Sequence, residues 1–290
     1  MHKRVKDAFT GALYAVLLLI LILDGQTALS GALEGVNICI NTVVPALLPY
    51  IILSTLLCNA LIGKRIRLFR GIGRLCRIPP GTESILLLGF VGGYPVGAKL
   101  IRDAYAEGRI KKSTAQRMLG FCNNAGPSFL FGVLPFMFTN TLSPVFLWLI
   151  HMISAIFTAI LLPGKEHTEC CIPPKNTIKF TDALQRSVKT VAIICGWVII
   201  FRIILAFLHK WLISVLPSEL QVLCAGFLEL TNGCITLQQI PNEATRFLCA
   251  AIILAWGGLC VTMQTVSVTD AVGLGMYLPG KILQLSLIHI

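Results

Sequence analysis

The sequence predicts an all-α polytopic membrane protein, built as an inverted repeat with two opposed re-entrant helical hairpins and discontinuous helices. Three observations lead there. Hydrophobic residues make up 56% of the 290 and charged residues 13%, about half the charged share of a soluble domain. The formal net charge of +11 is carried in short basic blocks between apolar runs, where cytoplasmic loops place it. Without aromatic residues interleaved among those blocks, it argues against nucleic acid. Finally, membrane-grade apolar runs are interrupted by helix breakers. Residues 89–102 read GFVGGYPVGAKLIR and residues 120–132 read GFCNNAGPSFLFG. A broken backbone exposed to lipid costs several kcal/mol per unsatisfied group, so such breaks are expected to face protein or a water-filled cavity. Transporters build midplane substrate sites from discontinuous helices of this kind.

The elements follow in order. A basic start, MHKRVKD, leads into an apolar run over 8–23; no small-residue cleavage motif directly follows it, so it reads as a first membrane helix with the N-terminus cytoplasmic. Over 26–44, apolar residues recur at Leu29, Leu33, Val36, Ile40 and Val43, a spacing that predicts an interfacial or half-inserted amphipathic helix. Pro45 is expected to end it, and 46–62 is a second span. Residues 64–77, KRIRLFRGIGRLCR, hold six basic residues and no acid. They read as a cytoplasmic topology determinant, or as a surface for anionic lipid or a partner.

The run over 83–101 is apolar, broken at its centre, and followed by a second basic segment, Lys99 to Arg117. With cytoplasmic charge on both flanks, it is expected to be a re-entrant hairpin tipped near Gly92-Gly93-Tyr94-Pro95. Residues 118–138 cross outward, interrupted at 123–127, and 145–162 return. Residues 163–189 are the most polar stretch, a cytoplasmic linker with a surface helix expected from Thr181. Residues 191–208 cross outward, 221–240 hold a second broken run, GFLELTNG, and 247–268 return with Gly257-Gly258 in the middle. A final helix is expected over 271–284. Residues 285–290, LSLIHI, resemble an in-frame translated sequencing adapter and are set aside as a scar.

Both halves thus share an order of parts: a spanning helix, a broken run opening Gly-Phe, then a spanning segment interrupted by small residues. The intervening span over 145–162 inverts the second half, giving opposed hairpins. The expected organisation is an N-terminal helix and amphipathic helix over 1–44, a first repeat over 45–138, a connecting span and linker over 139–189, and a C-terminally truncated second repeat over 190–284.

Polar residues at membrane depth are the candidate site: Asn123, Asn124 and Ser128 in the first half, Glu229, Thr231, Asn232 and Gln264 in the second, and Arg202. Gly93, Tyr94, Pro95 and Gly126 join them at the breaks. Half-helix N-termini present backbone N–H groups suited to an anion, and amides and hydroxyls read a solute by hydrogen bonds. Glu229 is a candidate to bind a coupling proton or sodium ion, or to pair with Arg202. Plainer readings stand beside these: the asparagines as helix–helix contacts, Tyr94 as an interface anchor, the glycines as close-packing positions, and Arg202 snorkelling outward. Lys99 and Arg102 are expected to end the hairpin at the cytoplasmic surface. Eleven cysteines, Cys170 and Cys171 included, read as small hydrophobes rather than metal ligands. No Walker motif, metal cluster or hydrolase triad appears, so neither an enzyme nor a resident cofactor is expected. The histidines, His151 among them, read as isolated.

GGYPVGAKLI, FCNNAGPSFLFG, GFLELTNG and AWGGLCVTMQT, in that order, together resemble the sporulation integral membrane protein YlbJ family, within the broader nucleoside-recognition or Gate-domain group. The resemblance runs from about Pro45 to Gln284. It implies an integral membrane protein of an endospore-forming bacterium, in its cell membrane or in the membrane around the forespore, and looks like the stage V sporulation protein implicated in moving dipicolinic acid. The function it implies is transport of a small anionic solute by alternating access, with membrane lipid, a second copy or other sporulation membrane proteins as partners. A nucleoside carrier is the alternative. So is a non-transporting scaffold that recruits partners through 64–77 and 163–189.

Overall fold

The computed structural model describes residues 2–64, 66–164 and 177–288, with side chains except at residues 2–8 and Ser128. Residues 165–176 of the linker, with Cys170 and Cys171, and the last two residues lie outside that set. All regular structure among the described residues is helical. α1 is His2–Leu23 and α2 is Gly25–Ile38, whose first turn is capped by Asp24 accepting from the Thr27 N–H at 3.3 Å. A π-helical turn, Cys39–Val43, carries the chain without a break into α3, Val44–Leu61. The 37-residue stretch Gly25–Leu61 is therefore one continuous rod, far longer than the roughly 20 residues that cross a bilayer core.

This corrects the amphipathic-helix expectation. Pro45 does not end the helix, because it falls in the first turn of α3, where its missing N–H is tolerated. The widened turn keeps the ladder closed: Val44 N–H bonds to the Cys39 carbonyl. The segment also packs along a second long helix. Gly31 and Gly35 are spaced one turn apart and let α2 approach α10 (Phe180–Trp211) closely. A Cβ on Gly31 would lie 2.9 Å from Ile203 Cα, and one on Gly35 2.8 Å from Ile199 Cα. Small residues at this spacing are how membrane helices pack without a hydrophobic driving force. α10 also absorbs the surface helix expected from Thr181, which is simply its first turns.

Between these two rods the chain forms α4 (Arg70–Leu75), α5 (Glu83–Gly92), α6 (Val96–Ala106), α7 (Lys112–Cys122), α8 (Pro127–Val133) and α9 (Ser143–Leu161). After α10 come α11 (Ser218–Leu228), α12 (Leu230–Thr236), α13 (Glu243–Trp256), α14 (Gly258–Thr269) and α15 (Tyr277–Leu287). Among the described residues, four stretches are long and apolar enough to cross a membrane: Gly25–Leu61, Ser143–Leu161, Phe180–Trp211 and Glu243–Val272. Their outward residues, such as Leu53, Phe157, Ile200 and Leu248, are exposed large hydrophobics, which suit lipid and not water. The chain is an integral membrane protein.

The helix breaks fall at the interrupted runs. α5 and α6 pack as a helical pair around the turn Gly93-Tyr94-Pro95. Gly93 has φ +78°, which a side chain would strain. Gly89 and Gly97 face the Cys122 carbonyl so closely that a Cβ on either would collide with it. α11 and α12 pair in the same way around Glu229, with Gly226 against Gly233. Each turn sits against a break in another helix. A Cβ on Gly93 would lie 2.9 Å from the Gly126 nitrogen, between α7 and α8, and one on Gly258 would lie 3.1 Å from the Leu230 nitrogen at the start of α12.

Lys99 is the other departure near the first turn. It does not reach a surface: it is fully buried and donates to Thr55 Oγ1 at 3.0 Å and to Asp103 at 2.8 Å, one helical turn away. Pairing with its own carboxylate lets it stay inside.

Candidate functional site at the meeting of the two broken segments

The two helical pairs converge on one small cavity, about 60 Å³ in volume. Gly93, Tyr94 and Gly126 line it from the first half, and Glu229, Thr231 and Gln264 from the second. Apolar walls come from α3 and α10, through Leu47, Ile194 and Val198. At roughly 10–15 Å³ per water, it has room for about four to six waters.

Glu229 owes its position to the break. Its extended backbone ends α11, and its carboxylate caps α12: Oε1 accepts from Thr231 N–H at 2.9 Å and Oε2 from Asn232 N–H at 2.6 Å. The half-helix N–H groups expected to await an anion are therefore already satisfied here by the chain's own carboxylate. At α6 the Ala98 N–H is likewise bonded, to Asn123 Oδ1 at 3.4 Å.

The remaining expected site residues lie around the cavity rather than on its wall. Asn123 is fully buried and donates from Nδ2 to Thr265 Oγ1 at 3.0 Å, joining α7 to α14. Asn124 donates to the Phe121 carbonyl at 2.6 Å. Pro95 is the N-cap of α6. The side chain of Ser128 is outside the described set. Arg202 pairs with Glu34 rather than with Glu229, and hydrogen-bonds to Asn232 Oδ1. Together with His209, Gln221 and Thr236, these three line a second cavity of about 260 Å³. Asn232 faces this vestibule and its neighbour Thr231 faces the central cavity, so the first turn of α12 divides the two.

Behind Tyr94 lies a polar cluster absent from the sequence reading. Lys281 of α15, 1% exposed, donates to the Tyr94 hydroxyl at 2.7 Å and to Gln284 Oε1 at 3.1 Å. Tyr94 in turn donates to the Leu254 carbonyl at 3.2 Å. Gln284 donates to Asn124 Oδ1 and to the His151 carbonyl, both at 3.2 Å. His151 Nε2 accepts from the Ala125 N–H at 3.1 Å, inside the first break. One signal existed for both residues: a histidine and a lysine each placed within an apolar run, where ionisable side chains are rare and tend to be functional.

The chain is similar to the sporulation integral membrane protein YlbJ of Bacillus subtilis (strain 168), at 25% identity, with 83% of this chain and 64% of that protein aligned. It thus spans somewhat under two thirds of the length of the curated relative it matches. No family model and no solved structure matches it.

Proposed function

From this likeness to a sporulation membrane protein, we propose that the chain carries a small anionic solute across the membrane of a spore-forming cell, with dipicolinate the favoured solute. One observation carries the reading: broken segments from both halves meet at a single cavity. Structural repeats that meet at discontinuous helices are how secondary transporters build a site which opens alternately to each side. In this reading the two helical pairs are re-entrant hairpins entering from opposite faces, and the N-terminus and basic loops are cytoplasmic.

A cavity with room for a few waters is too small for a pyridine ring bearing two carboxylates, so loading requires the hairpin tips to part. Tyr94 then offers a ring face. The Lys281 ammonium behind it and Arg202 in the vestibule offer positive charge to the carboxylates. Glu229 is held in place as the cap of α12.

The cavity wall itself favours a second reading. Thr231 and Gln264 are neutral hydrogen-bonding groups, and Arg202 lies outside the cavity, an arrangement that suits a nucleoside. Thermal-shift titration of the purified chain separates the two. Stabilisation by dipicolinate that excess nucleoside does not reproduce supports the anion reading; stabilisation by nucleosides alone replaces it.

A further inference from the structure

Lys281 is buried among neutral groups. Its described partners are the Tyr94 hydroxyl, the Gln284 amide oxygen, and the ring faces of Tyr94 and Tyr277 at 4.7 and 5.8 Å. No carboxylate among the described residues pairs with it. An ammonium enclosed in this way without an anion is strongly disfavoured, because nothing offsets its desolvation. The same ammonium becomes favourable once an anion whose charge is not already held by other donors, as that of Glu229 is by the N–H groups of α12, lies one side chain away in a low-dielectric setting. Tyr94 provides that adjacency, since the residue that lines the cavity is the one whose hydroxyl holds Lys281.

We propose that the cavity takes up its anionic solute together with a proton, and that Lys281 holds that proton. The inference rests on reading the chain as an anion carrier, and it names the coupling ion for that carrier. The proton comes from hydronium on the side of entry: an O–H bond breaks as an N–H bond forms on the lone pair of the neutral amine, leaving water. On the other side the N–H bond breaks as the solute leaves, and water takes the proton back as hydronium.

The surroundings single out this lysine. Facing it are Tyr94 from the hairpin turn, Tyr277 on its own helix and, through Gln284, His151 on α9. The titratable residues of the other helices packed on α15 are engaged elsewhere, exposed, or thiols. On α7, Arg117 donates to the carbonyls of Cys76 and Ala159, while Lys112 opens the helix and Cys122 closes it. On α13, Glu243 accepts from Thr139, Arg246 donates to Ile240 and Met137, and Cys249 is a buried thiol. Glu229 is poorly placed for the role, because both its oxygens cap α12. Lys281 is also wired to the moving parts. Tyr94 ties it to the first hairpin tip, and Gln284 links it to Asn124 and to His151, which holds Ala125 in the first break.

The test uses proteoliposomes of the whole chain loaded with a pH-sensitive dye, with labelled dipicolinate outside. Wild type should acidify the lumen as dipicolinate enters, with an uptake rate that depends on external pH. Lys281→Met should cut proton flux per dipicolinate by about tenfold and flatten the pH profile, as expected when the linked group is removed. Tyr94→Phe keeps the ring and lysine but should shift the pH of half-maximal uptake. Dipicolinate uptake by wild type without proton flux overturns the inference and leaves the carrier reading intact. So does proton flux that survives in Lys281→Met, or an unshifted profile in Tyr94→Phe. Absence of dipicolinate uptake by wild type at every pH removes the anion-carrier reading, and this inference with it.

Discussion

The Lys281 side-chain nitrogen lies 2.7 Å from the Tyr94 hydroxyl, joining α15 to the turn between α5 and α6 across most of the chain's length. Two residues that sequence distance keeps far apart thus share one buried contact, and one of them lines the central cavity.

Replacing that hydroxyl is the simplest perturbation. Tyr94→Phe leaves Lys281 with Gln284 as its remaining hydrogen-bond acceptor among the described residues. Leaving a buried polar group short of a partner costs about 1–3 kcal/mol. The variant should melt several degrees below wild type in detergent, whatever solute is present.

Close backbone approach makes a second prediction. Gly97→Ala places a methyl group against the Cys122 carbonyl, which is backbone and cannot swing away. Overpacking of this kind costs about 1–3 kcal/mol. Gly132→Ala on α8 is the control, because nothing lies within 4 Å of the added carbon. A melting comparison should show a marked loss for the first and little change for the second.

In the vestibule, Arg202→Ala removes the partner of both Glu34 and Asn232. Uptake below saturation should fall by about tenfold, the equivalent of 1.4 kcal/mol. Asn124→Ala, which cuts the link from the first break to Gln284, should lower it as well. Unchanged initial rates in both variants would remove these residues from the site.

Just ahead of the Gly25–Leu61 rod, the Asp24 carboxyl is held below its ordinary value of 3.8, first by the hydrogen bond from Lys210 and then by Thr27. A carboxylate lowered on folding contributes stability above the unfolded value and loses it as pH falls through the folded one. The melting difference between wild type and Asp24→Asn should therefore be flat above about pH 5 and shrink below about pH 4.

How much of this was readable in the sequence depends on the range of the interaction involved. The breaks at Gly93, at 123–126 and at Gly257 were legible because glycine, proline and asparagine act on the local backbone. That Pro45 would leave its helix intact was not, since a π turn five residues long absorbs it. The Gly31 and Gly35 pair was in plain view, but its meaning depends on which helix lies opposite. Lys281, Gln284 and His151 became a cluster only when α15 was placed against α7 and α9. Arg202 and Glu229, both ionisable at membrane depth, were expected to be able to pair, yet Glu34 takes the arginine and the first turn of α12 takes the glutamate.

The most direct measurement is initial-rate uptake of labelled dipicolinate into proteoliposomes containing the purified chain, over a range of concentrations. Saturable uptake that excess unlabelled dipicolinate suppresses, and that exceeds protein-free liposomes, is the predicted result. Uptake no faster than in protein-free liposomes, or rising linearly without saturation, would contradict the proposal that the cavity between the two broken segments carries this solute.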